Sequence, residues 1–220
     1  MRTTIKSAFI LAVLSVSLFS CNKSNDPTDD STGVLSGTID SYVSGSMDSV
    51  KMTNGDFTNS TGPVSPVGKF SIRLKVPTEL SKVRTYLSQG IFTFASGFTI
   101  SDTTALLSSE LHLYACKSNR YLGYINHCNY LYYNSVDPFY TLGGIHTVFI
   151  YCNKATTING KLILTSSQVS IYNVSLKEGW NEVAETTTTY TQTLTTKYTE
   201  TTYTTDIPSD LKWYFTTEPA

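Results

Sequence analysis

The sequence predicts an all-β chain, an antiparallel β-sandwich with little helix, and three observations carry that prediction. Apolar residues recur with period two, β-branched and aromatic residues fill the alternating stretches, and clusters of Gly, Asn, Asp, Ser and Pro punctuate them at short intervals. Composition agrees: of 220 residues, 40% are hydrophobic and 12% aromatic but only 15% charged, so Ser and Thr supply most of the polar faces. Such a chain is neither a charged disordered tail nor a nucleic-acid-binding domain. Its length allows a real core, in one domain or two small ones.

The elements follow in order. Residues 34–39 (VLSGTI) open the series, and 48–52 (DSVKM) follow, closed by the turn pair Asn54-Gly55. Residues 69–74 alternate cleanly, with Phe70, Ile72 and Leu74 on one face and Lys69, Ser71 and Arg73 on the other. One buried and one wet face is the mark of an antiparallel sheet. Further strands are expected at 91–100, 111–116, 120–125, 129–133 and 145–152. Asn159-Gly160, between the apolar stretches 156–158 and 161–164, predicts a tight hairpin, because both residues tolerate positive φ. Strands at 169–176, 182–194 and 211–216 complete the set. From 186 to 205 Thr alternates with Tyr190, Gln192, Leu194, Tyr198 and Tyr203, as in a long hairpin that reverses near Thr195-Thr196-Lys197. Helix is confined to 77–87, with Thr78 as N-cap, and 103–110. The alternating faces require partner sheets about 10 Å apart. Residues 34–220 form the body, within which 34–85 are separable as a small N-terminal β-subdomain.

Residues 1–20 have the parts of a secretory signal: Arg2 and Lys6, then the apolar run 7–19, too short to span a bilayer comfortably. The run ends Leu18-Phe19-Ser20-Cys21, which resembles the lipobox of bacterial lipoproteins, with the bulky Phe19 a departure from it. The resemblance implies that Cys21 is acylated and ties the protein to the lipid bilayer of the bacterial outer membrane, periplasmic or surface-facing. Each buried methylene contributes about 0.8 kcal/mol, so two or three chains suffice as an anchor. Residues 21–33 contain Pro27, Gly33 and little that can be buried, and read as a disordered tether. Lys23 followed by Asp26, Asp29 and Asp30 resembles the surface-export signal of Bacteroidota lipoproteins. Once Arg2 and Lys6 are removed from the 16 basic residues, 14 face 17 acidic ones, too small an excess to attract polyanions or nucleic acid.

In the body, Gly37-Thr38-Ile39, Gly68-Lys69-Phe70-Ser71-Ile72, Phe149-Ile150-Tyr151, Thr157-Ile158-Asn159-Gly160, Leu176-Lys177-Glu178-Gly179-Trp180-Asn181 and Lys212-Trp213-Tyr214 resemble landmarks of Bacteroidota lipoproteins of unknown function. That resemblance implies a fold and an anchor with no activity attached. The opening is also similar to carboxypeptidase-regulatory-like β-domains.

Chemistry is sparsely signalled. No Gly-x-Ser-x-Gly elbow, His-Glu-x-x-His pair, phosphate-cradling loop or dinucleotide fingerprint is present, so no catalytic residue, cofactor or metal is expected. Asp102, Glu110 and Asp137 are the acids a two-carboxylate glycan hydrolase would draw on. His112/Cys116, His127/Cys128 and His146/Cys152 lack zinc spacing, and exported cysteines more readily form disulfides. Cys116 and Cys152 end neighbouring apolar stretches and are the expected bridge; Cys116–Cys128 is the rival, and three buried thiols the alternative. The tyrosines are the functional lead. Tyr114, Tyr121, Tyr124, Tyr130, Tyr132, Tyr133, Tyr140 and Tyr151 crowd one stretch, and Tyr offers a flat apolar face with a polar tip, suited to a sugar or a protein surface. Cross-strand aromatic pairing would explain the same crowding. The expected role is a non-catalytic, lipid-anchored envelope protein that binds a glycan or an envelope partner. A structural component of a surface complex, pairing through the Thr/Tyr hairpin, and a glycan hydrolase are the alternatives.

Overall fold

The computed structural model describes residues 31–53, 58–83, 87, 93–135, 140–194 and 197–217. Cys21, the signal, most of the tether, Asn54-Gly55, Asp137 and Thr195-Thr196 lie outside them. The described residues are nearly all β. The strands run β1 (Ser31–Thr38), β2 (Ser49–Thr53), β3 (Thr58–Pro63), β4 (Lys69–Lys75), β5 (Ser81–Lys82), β6 (Thr93–Phe94), β7 (Thr99–Ile100) and β8 (Leu106–Leu107). They continue as β9 (His112–Lys117), β10 (Arg120–Cys128), the helical turn α1 (Tyr130–Tyr133), β11 (Ile145–Cys152), β12 (Thr156–Thr165), β13 (Gln168–Leu176), β14 (Gly179–Gln192), β15 (Lys197–Thr204) and β16 (Lys212–Thr217). β1 therefore takes in the last three residues of the expected tether.

One large sheet carries β3-β2-β9-β10-β11-β14-β15-β13-β12-β6 in that order, with β16 on β10. β1 and β4 form a second, two-stranded layer. Its margins meet the large sheet at the bridges Val64–Phe70 and Ile39–Trp213, so the layers nearly close into a ring. Inside it Val50, Met52, Phe70, Ile72, Leu74, Leu113, Ile125 and Trp213 form the first hydrophobic cluster, as the alternation of residues 69–74 requires. Residues of the 34–85 segment and of the later chain share this cluster. A second cluster, with Val148, Ile150, Ile158, Leu162, Val174 and Val183, fills the space under β6, β7 and β8.

β11 joins the two. Its even residues face the second cluster while Phe149 faces the first. A strand buried on both sides reads as the unbroken apolar run it is.

Several expectations are corrected. Residues 130–133 form a helical turn, because the Asn129 carboxamide oxygen accepts from the Tyr132 N–H at 3.0 Å and caps it. Asn159-Gly160 is not a turn: β12 runs straight through it, paired with β13 from Thr156 to Thr165. Gly160 is needed there because a Cβ would stand 2.7 Å from Phe98 Cα. In place of a helix at 103–110 stands β8; of the expected 77–87 helix, Ser81–Lys82 form β5 while Val83 and Leu87 are helical. Within the expected strand at 91–100, the described residues 93–100 hold two short strands, β6 and β7, and β3 is a strand where none is expected.

Candidate functional site

The outer face of β2, β9, β10 and β16, turned away from the first cluster, gathers part of the tyrosine-rich stretch. Register places Thr61 (β3), Lys51 (β2), Tyr114 (β9), Tyr124 (β10) and Thr216 (β16) in one cross-strand row. The next row holds Ser49, Cys116 and Tyr121. Tyr114 lies 4.9 Å from Tyr124 and 5.0 Å from Tyr121, centroid to centroid, and Tyr121 lies 5.9 Å from Tyr124. Tyr121 is 40% exposed, and Tyr114 and Tyr124 are half-buried, so three rings form an open platform. Beside it Asn126 Nδ2 donates to Thr216 Oγ1 at 3.0 Å. The platform exists because β10 bulges between Tyr121 and Gly123, which brings Tyr121 back to the face of Tyr124.

The other expected tyrosines separate. Tyr132 is buried and stacks on His146 at 4.5 Å, and Tyr133 stacks on Tyr214 at 4.2 Å. Tyr130 is 62% exposed on α1, 6.3 Å from Tyr133. Tyr140 sits by the β14–β15 hairpin, 5.4 Å from Tyr190 and beneath the Lys197 ammonium. Tyr121 and Tyr124 are thus brought together, while Tyr132 and Tyr133 serve packing.

Past the platform the same face leads to a buried polar cluster that the sequence does not reveal. His146 on β11 stands opposite both Cys128 on β10 and Glu185 on β14, and Glu185 stands opposite Tyr203 on β15, which is opposite Tyr172 on β13. Tyr203 and Tyr172 stack at 4.8 Å. Burial, then the nearby Glu110, pushes the Glu185 carboxyl up to about 8, against a hydrogen bond with Tyr203. Burial holds His146 down to about 3. Their 3.4 Å contact is accordingly one between a protonated carboxyl and a neutral imidazole at neutral pH, not an ion pair. Glu110 also lines a cavity of about 20 Å³ with Leu87, Leu107, Tyr172 and Tyr203, room for about one water and no sugar.

On the opposite face His127 Nδ1 lies 2.5 Å from Glu182 Oε1, which also accepts from Thr147 Oγ1 at 2.7 Å. The His127 ring stacks on Trp213 at 4.5 Å, so this pair clamps β10, β11, β14 and β16 together. Asp102 is occupied locally, accepting from the Thr104 N–H and hydroxyl. Among the described residues no group of His, Cys, Asp and Glu is placed to hold a metal ion.

Cys116, Cys128 and Cys152 are free and buried, so the expected Cys116–Cys152 bridge is absent. The reason is placement. Cys116 on β9 stands between Ser49 on β2 and Tyr121 on β10, whereas Cys152 on β11 stands between Leu107 on β8 and Gly179 on β14, so they sit in different parts of the sheet. Burial pushes all three thiols up, Cys128 to about 12.

The chain matches no protein-family model, no curated protein and no solved structure. The fold class is all-β and sandwich-like.

Proposed function

We propose that this protein is a lipid-anchored envelope protein whose body binds a glycan on the outer face of β2, β9, β10 and β16, with Tyr114, Tyr121 and Tyr124 as the stacking platform. The observation that supports it is the triplet of rings, Tyr121 exposed and Tyr114 and Tyr124 half-buried, on one sheet face flanked by Lys51, Asn126 and Thr216. Aromatic faces with polar groups at their margins suit sugar rings, whose C–H faces are apolar and whose edges carry hydroxyls. The reading takes the anchor from the lipobox resemblance at Cys21.

The test uses full-length protein purified from membranes in detergent. Mass spectrometry should find acyl chains on Cys21, and a glycan array should give binding that Tyr124→Ala weakens about tenfold or more. Tyr124 is the better probe than the buried Tyr132, whose loss would disturb packing. An unmodified Cys21, or glycan binding indifferent to Tyr124→Ala, would overturn the reading. A second reading, assembly with an envelope protein, draws support from Leu142 and the fully exposed Leu194 near the β14–β15 tip. A stably co-purifying membrane protein without glycan binding would favour it.

A further inference from the structure

The platform has a charge of one sign built into its central row. Lys51 projects from β2 beside Tyr114, directly opposite it in register, where Cβ atoms stand about 5 Å apart. Lys51 is half-buried and stands in register between Thr61 on β3 and Tyr114 on β9, on the face that carries the rings. Lys51 takes no part in the ion pairs His127–Glu182, Lys161–Glu200 and Lys212–Asp40. The nearest acid at that margin, Asp48, accepts from Ser49 Oγ at 2.8 Å and from the Ser118 N–H at 2.7 Å, and the cation it feels is Lys117. Glu110 shares the face of β9 but lies four residues beyond Tyr114, about 13 Å away at the strand rise of roughly 3.3 Å.

A ligand laid along the row therefore meets Thr61, Lys51, Tyr114, Tyr124 and Thr216 in turn: hydroxyl, cation, two rings, hydroxyl. Neutral sugars would gain little from the ammonium and would have to strip water from it. A sugar acid would pair with it while its ring stacked on Tyr114.

We infer that the platform selects an acidic glycan, one bearing carboxylates on its sugar rings, with Lys51 as the specificity-determining residue. The inference rests on the glycan-binding reading and goes further by naming the class of ligand. The chain's own small net negative charge adds no general attraction for polyanions, so selectivity has to come from this one row.

The experiment measures binding of the full-length protein in detergent to polygalacturonate, alginate and hyaluronate, each beside its carboxyl-reduced, neutral counterpart. Wild type should bind at least one acidic polymer about tenfold more tightly than its reduced form, the size of one charged hydrogen bond. Lys51→Gln should abolish that preference, leaving residual binding of both forms, and Tyr124→Ala should weaken both. Raising salt should erode the wild-type preference and leave Lys51→Gln unmoved. Equal binding of acidic and reduced polymers, or a preference that survives Lys51→Gln, would overturn the inference while leaving the platform reading intact. Binding to none of the six polymers would overturn the inference, while the glycan array with Tyr124→Ala decides separately on the platform.

Discussion

Burial favours the uncharged form of both Glu185 and His146, which touch at 3.4 Å, and this has a pH signature. In an unfolded chain a glutamate loses its proton near 4.5, whereas burial and Glu110 hold that of Glu185 to about 8. Between those values the folded protein binds one proton more than the unfolded one. Its contribution is whole below about pH 4.5 and is lost as pH rises to about 8. His146 acts in the reverse sense: an exposed imidazole takes up a proton near 6.5, the buried one only near 3, so its contribution is lost as pH falls from 6.5 to 3. From about 4.5 to 6.5 the two slopes cancel. Denaturant midpoints should therefore be level in that window and fall on either side, and Glu185→Gln should remove the decline between pH 6.5 and 8. If that variant keeps the decline, another group is responsible. Neither residue announces this role in sequence, because Glu185 sits in a threonine-rich strand and His146 in an apolar one. Only the register of β11 against β14 makes them neighbours.

Among the elements, those that alternate are legible and those shaped by close backbone approach are not. Residues 69–74 show one buried face because nothing competes with their period-two pattern. β3, by contrast, reads TNSTGP, a run of turn formers, and becomes a strand because its partners accept it. A Cβ at Gly62 would lie 2.1 Å from Ser71 O, so the missing side chain is what lets β4 pack against it. Asn159-Gly160 misleads for the same reason, its glycine chosen for Phe98 rather than for a turn. The platform was half legible: Tyr121 and Tyr124 stand out as residues, but their meeting with Tyr114 depends on the bulge in β10. Gly123 makes that bulge possible, with φ at 153° and a would-be Cβ 2.1 Å from Thr216 O. Gly123→Ala should push β16 away from β10 and cost about 2 kcal/mol or more in a urea titration. Amides of residues 212–217 should exchange faster with solvent. A cost below about 0.5 kcal/mol, within the range of ordinary surface changes, would mean that the two strands yield easily.

At the scale of the molecule, two cores hang on one strand. Phe149 stands parallel to Trp213 at 6.2 Å in the first cluster, while its neighbours Val148 and Ile150 lie in the second. Removing its ring should destabilise the whole chain by about 3–5 kcal/mol, and both cores should still melt in a single transition. Tryptophan fluorescence follows the first core, and hydrogen exchange at residues 158–176 follows the second. Two separated melts would contradict the shared strand. A different consequence follows from β15. β13 and β14 are joined by only Lys177 and Glu178, yet β15 lies between them, parallel to β13 and antiparallel to β14. The pair is a fork, and the chain that fills it emerges later from the ribosome. Until residues 197–204 arrive, the tines have open inner edges with no one to bond but each other, and zipping shut would lock the wedge out. The threonines and the Glu200 carboxylate that line the incoming strand make it wet and slow to stick elsewhere, so the piece that fills the fork is also one able to wait.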